Sequence, residues 1–164
     1  MMFKDEYAFL SNMQPCVVEF EGVPYSCVES AYVAAKTLDI EERDLVSRMN
    51  GYQAKKFGKT ITLREDWEEI KVGVMFDLVT QKFTRNQELA RMLVSTGDVE
   101  LIEGNTRGDL FWGVDIRTKE GKNMLGNILT IVREGVKEAC EEHGTESGSE
   151  EEESNSVIEE DQSS

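Results

Sequence analysis

The sequence predicts an α+β fold: one helix-rich domain with a small N-terminal β-hairpin or sheet, followed by a disordered acidic tail. Three observations predict it. Apolar residues recur at three- and four-residue spacing over much of the chain, as in Trp67, Ile70, Val74 and Leu78. Strand-like alternation is confined to one short stretch, Cys16-Val17-Val18-Glu19-Phe20. From Gly144 onward Ser, Glu, Gly and Asn dominate, broken only by Val157-Ile158, and such a segment cannot offset its ordering entropy by apolar burial. The domain is expected over residues 1–140, enough for a real core, and the tail over 141–164.

The elements follow in order. Glu21-Gly22 makes a two-residue turn between Cys16–Phe20 and Val23-Pro24-Tyr25-Ser26, and Pro24 confines the second strand to an edge. Ser26-Cys27-Val28-Glu29 has capping-box spacing ahead of Ala31, Ala34 and Ala35, so a helix begins there. Leu45, Val46 and Met49 predict a short helix, and Tyr52 to Phe57 a further turn or two closed by Gly58. A long amphipathic helix is expected from about Glu65 to Phe83; Leu89, Met92 and Leu93 continue its pattern until Thr96-Gly97-Asp98 stops it. Val99 to Ile102 reads as a short strand. Leu125, Ile128, Leu129, Val132 and Val136 form the apolar stripe of the last helix.

Charge and composition narrow the chemistry. The net charge of −15 is unevenly placed: residues 141–164 hold ten of the 33 acids and no Lys or Arg, which leaves the first 140 residues at −5. That argues against sequence-blind binding to nucleic acid, although Lys55-Lys56 and Lys59 could meet a phosphate. The three cysteines are widely spaced, and His143 is the only histidine. A disulfide framework, a zinc site and a histidine general base are therefore not expected, and no cofactor or metal is called for. With no signal-peptide pattern and no apolar run of about 18 residues, the chain reads as a soluble cytoplasmic protein without a membrane partner.

The densest run is Asp109-Leu110-Phe111-Trp112-Gly113, followed by Gly121-Lys122-Asn123-Met124-Leu125-Gly126. It places a carboxylate beside aromatic walls, a glycine turn and a helix start, parts that suit a polar, anionic small molecule. Upstream stand Tyr7, Phe9-Leu10-Ser11-Asn12, Tyr25-Ser26-Cys27-Val28-Glu29, Ala35-Lys36, Asp66-Trp67, Lys71, Met75, Lys82-Phe83 and Leu101-Ile102-Glu103, and downstream Arg133. In this order, across Phe3 to Val136, the set resembles the YbiA-like (NADAR) family.

The resemblance implies an N-glycosidase that cleaves a ribose C1′–N bond. Its substrates would be phosphorylated ribosylaminopyrimidine intermediates of riboflavin synthesis or an ADP-ribosyl compound, and nucleic acid would enter only as a modified substrate bearing ADP-ribosylated guanine. Glu29 and Asp109 fill the family's catalytic positions. Cleavage at a ribose passes through an oxocarbenium-like state, so one carboxylate would stabilise the cation and the other orient or activate water, in either assignment.

Each candidate also has a plainer reading. Glu29 completes a capping box, and Asp109 suits a turn after Gly108. Lys36, seven residues after Glu29 on one helix face, binds a phosphate or is a solvated lysine. Trp67 and Trp112 stack on a heterocycle or belong to the core, where the periodic stripe favours the core for Trp67. Gly113 joins Trp112 in the substrate-binding set. Asn123 caps the last helix or contacts a ribose hydroxyl or phosphate. Arg133 reads as a salt-bridging residue. The chain departs from the family where Ser30 replaces a His and Val33 a frequent Gln; Lys59 stands for an Arg and loses the bidentate fork for phosphate. Ser30 and Val33 keep a third possibility open, a non-catalytic ADP-ribose or nucleotide-binding module.

Overall fold

A short 3-10 helix (Asp5–Leu10) precedes the hairpin of β1 (Val18–Phe20) and β2 (Val23–Tyr25), which pair antiparallel with Glu19 opposite Pro24. This is the arrangement in the computed structural model, which describes residues 1–142. Glu21 and Gly22 connect the strands with φ of 48° and 81°; two left-handed residues make the turn whose twist suits a tight hairpin. The Glu19 N–H and C=O are both taken by the Gln81 carboxamide, at 2.8 Å each.

Helix α1 (Val28–Ala35) is the hub, packed against α2 (Ile40–Ser47), α3 (Gly51–Phe57), α4 (Trp67–Thr84) and both strands. It is apolar nearly all round, and Ala31, Ala34 and Ala35 let its neighbours approach closely. Its N-cap is Cys27, one residue later than the sequence predicts. Cys27 and Ser30 form the reciprocal capping pair, while Ser26 Oγ donates to Met49 O at 2.8 Å. Glu29 therefore has no capping duty and projects from the first turn. Asp39 caps α2, and Asn50 with Gln53 caps α3, which closes at Gly58.

The long periodic segment divides into α4 and a separate α5 (Gln87–Ser95), because Asn86 turns the chain and accepts from Leu89 N. The strand expected at Val99–Ile102 does not form. Asn123 Oδ1 accepts from Glu103 N at 2.9 Å, and its Nδ2 donates to Leu101 O at 3.0 Å, so this backbone is engaged by a side chain instead of a neighbouring strand. Pairing comes just beyond, where β3 (Gly104–Asn105) lies parallel to β4 (Val114–Asp115). The last helix, α6, is described over 124–142 and buries Leu125, Ile128, Leu129, Val132 and Val136. Arg133 makes no ion pair among the described residues. Its buried guanidinium instead donates to Thr96 Oγ1 and Val99 O, at 3.0 and 2.8 Å, tying α6 to the end of α5. Residues 141 and 142 are still helical; the rest of the acidic tail expected over 141–164 lies outside the described residues. Among the described residues, no helix is long and apolar enough to cross a membrane.

Lys82 is 1% exposed, with its ammonium 5.0 Å from the Phe83 ring centre and 2.8 Å from Ser11 O, to which it donates. Burial depresses its pKa from 10.5 to about 8, with Cys16 and Cys27 opposing the shift. The unfolded chain thus binds a proton that the folded one releases between these two values. Stability from this group is present above 10.5 and is lost as pH falls through about 8. Urea denaturation should show the gap between wild type and Lys82→Met shift in favour of wild type from pH 7.5 to 10.5, by on the order of 3 kcal/mol at most. A gap that does not change with pH would refute the assignment.

Candidate active site

A cavity of about 530 Å³ opens between the N-terminal segment, α1, α3 and the loop after β3. Glu29 reaches it from the first turn of α1, where its backbone N–H is anchored on Asn12 O at 3.0 Å. Among the described residues no hydrogen bond or ion pair is formed by its carboxylate. Burial pushes the Glu29 pKa up, and Asp109 adds to that; Lys36, Lys55 and Arg107 pull against it. Tyr32 and Lys36 follow on the same helix face, with the Lys36 ammonium 5.3 Å from the Tyr32 ring centre.

Asp109 arrives from the opposite wall. Its Oδ1 accepts from Phe111 N at 3.1 Å and Trp112 N at 2.9 Å, a local turn that aims the carboxylate and sets the indole. Buried Asn105 holds the same residue through its backbone: its Nδ2 donates to Asp109 O, and its Oδ1 accepts from Asp109 N. Asn105 Nδ2 also donates to Glu103, whose other carboxylate oxygen accepts from Arg107 at 2.8 Å. Arg107 lies 3.6 Å from Asp109 as well, so one cation spans two cavity carboxylates.

The structure thus brings Glu29, Lys36, Lys59, Asp109 and Trp112 to one cavity. Trp67, Gly113 and Asn123 lie outside it. Trp67 is 5% exposed and packs edge-on against Tyr32 at 5.0 Å, a core residue behind the cavity lining. Gly113 is there for space: a Cβ would strike the Glu103 carboxylate and carbonyl. Asn123 has φ of 52° and spends its carboxamide on the 101–103 backbone. Ser30 and Val33 face the core, where Ser30 caps α1 and Val33 sits against Gly58. These two departures leave the cavity surface untouched.

Sequence reasoning named Lys55 as a cation for phosphate but assigned no site role to Tyr32, Glu103, Asn105 or Arg107. Only the placement of Tyr32, three residues after Glu29 on one helix face, could have flagged a member of this group. The rest depend on a loop conformation set by contacts with distant residues. Lys4, Lys36, Lys55, Lys59 and Arg107 give the cavity five cations, in a domain that is net acidic. No group of three or more His, Cys, Asp and Glu that could hold a metal ion occurs among the described residues.

Fold and site together define a helix-rich α+β domain whose cavity sets carboxylates against a cationic rim. Residues 2–137 match the NADAR domain model, and the chain belongs to that family. It is similar to N-glycosidase YbiA of Escherichia coli K12, 32% identical over 133 residues, covering 79% of this chain and 82% of the relative. It is also similar to a riboflavin biosynthesis protein of Vibrio vulnificus, 36% identical over 137 residues and 82% of this chain. The chain spans only 37% of the length of that Vibrio protein. The NMR structure of E. coli YbiA matches with a TM-score of 0.72 and 29% identity, covering 83% of this chain and 82% of that one.

Proposed function

We propose that the chain is an N-glycosidase that hydrolyses the ribose C1′–N bond of a phosphorylated ribosyl substrate without a metal, with a ribosylaminopyrimidine phosphate of riboflavin synthesis as the first candidate. The convergence of Glu29 and Asp109 on one cation-rimmed cavity carries this reading. The names of the relatives support the reaction type, and the cations offer sites for the phosphate.

The two carboxylates differ in how they are held, and roles follow from that. Asp109 is fixed by two backbone N–H groups, which suits a preorganised charge facing the oxocarbenium-like state. Glu29 is unrestrained and its pKa is raised, which suits a base that takes a proton from the attacking water. Water adds to C1′ as the C1′–N electron pair leaves with the base. Ser30 and Val33 face away from the cavity, which favours this reading over a non-catalytic binding module.

Incubation with ribosylaminopyrimidine phosphate, free ADP-ribose and ADP-ribosylated guanine in DNA tests the proposal. Release of base from the first is expected; release from only one of the others moves the substrate class, and binding with no release at any pH selects the module. The pH profile gives a separate check. Because Glu29 must be ionised, kcat/KM should rise with pH through an apparent pKa above the ordinary glutamate value of 4.5. The charges facing that carboxylate are Lys36, Lys55, Arg107 and Asp109. An activity that falls through this range would make Glu29 an acid and reverse its role.

A further inference from the structure

Breaking a C1′–N bond needs a hydrogen-bond donor at the departing base as well as carboxylates at the sugar. The cavity lining offers cations and neutral donors; among the latter Tyr52 is exposed and Asn12 already donates to Met75 Sδ, whereas the Tyr32 phenol is buried. Arg107 is already bonded to Glu103 and close to Asp109. A lysine or arginine beside C1′ would also repel the positive charge that develops there. The Tyr32 hydroxyl can donate without that penalty.

Its placement fits the task. Tyr32 lines the cavity, is 7% exposed and stands three residues after Glu29 on α1. Its ring is clamped edge-on by Trp67 at 5.0 Å and Trp112 at 5.7 Å, so the hydroxyl is presented by a rigid side chain. Burial drives the phenol well above its usual 10; Trp112 opposes this, and the charges of Glu29, Asp109 and Glu68 reinforce it. The group keeps its proton over the whole working range and acts as a donor.

We propose that Tyr32 is a catalytic residue that donates a hydrogen bond to the departing base, an inference that rests on the glycosidase reading above. The C1′–N pair moves onto the base nitrogen, where the Tyr32 O–H meets it. Water oxygen bonds to C1′, and the water's proton passes to Glu29 and then to the released base. Tyr32 ends the cycle with its own proton.

Tyr32→Phe removes the hydroxyl and retains the ring contacts, so folding should be preserved. Two substrates separate the roles: the N-ribosyl compound cleaved by wild type, and 4-nitrophenyl riboside 5-phosphate, whose nitrophenolate leaves unaided. The variant should lose about 100-fold in kcat on the first with KM and Tm unchanged, and be nearly unaffected on the second. Equal losses on both, or no loss on either, would overturn the assignment. Should wild type cleave neither substrate, the glycosidase reading itself fails and takes this role with it. Turnover by wild type with an unimpaired Tyr32→Phe removes the tyrosine alone.

Discussion

Asp109→Asn is expected to lower turnover by about 10²- to 10³-fold while leaving thermal stability unchanged. The asparagine carbonyl can still accept from Phe111 N and Trp112 N, so the turn survives and only the charge is lost. Asp109→Ala removes both, and should add a stability loss of about 0.5–2 kcal/mol, as when a capping acceptor is deleted. Glu29→Gln should cost a comparable 10²- to 10⁴-fold or so in rate and abolish the rise of activity with pH. Unlike Asp109→Asn it should also make the protein more stable at neutral pH, because the amide relieves a half-buried carboxylate that forms no hydrogen bond among the described residues. Calorimetry alongside turnover would distinguish the two variants. Retained activity in both would end the two-carboxylate mechanism.

The largest structural effect is expected at Gly113. An added Cβ has no room there: it meets the carboxylate and carbonyl of Glu103 and approaches Asn105 Nδ2 at 2.7 Å. Backbone and a bonded network cannot give way as a loose side chain can, so Gly113→Ala should destabilise by about 2–3 kcal/mol. Because Asn105 also grips Asp109, the variant should lose turnover as well as Tm. Gly135→Ala is the control. Nothing lies within 4 Å of its Cβ position, it sits in helix α6, and alanine there should stabilise by about 0.5–1 kcal/mol. If both alanines behave alike, the steric account of Gly113 is wrong.

Much of the fold was legible where the signal was local. The hairpin could be read because Glu21-Gly22 carries its turn chemistry in two adjacent residues, and the apolar stripe of α6 because its five residues keep helical spacing over about three turns. The N-cap of α1 slipped by one residue because Ser26 advertised a capping side chain while Cys27, a poor sequence signal, does the capping with Ser30. The β3–β4 bridge was invisible: it is two residues long, and Asn123 sets the backbone leading into it from outside. The site followed the same division. Glu29, Lys36 and Asp109 could be nominated from motif order, but a cavity wall is a property of the folded chain. Trp67 was nominated with them because an indole that stacks on a ligand and one that braces Tyr32 look identical in sequence.

The two-stranded ribbon has a consequence for self-association. One flank of it is filled by a glutamine carboxamide that occupies the Glu19 peptide groups as a third strand would, and the other presents Pro24, which lacks the amide proton an incoming chain would need. Neither flank is a template for β-augmentation. Replacing Gln81 with leucine would uncap one of them, and with the other still closed by Pro24 the open edge could pair only once, so size-exclusion chromatography should show at most a dimer.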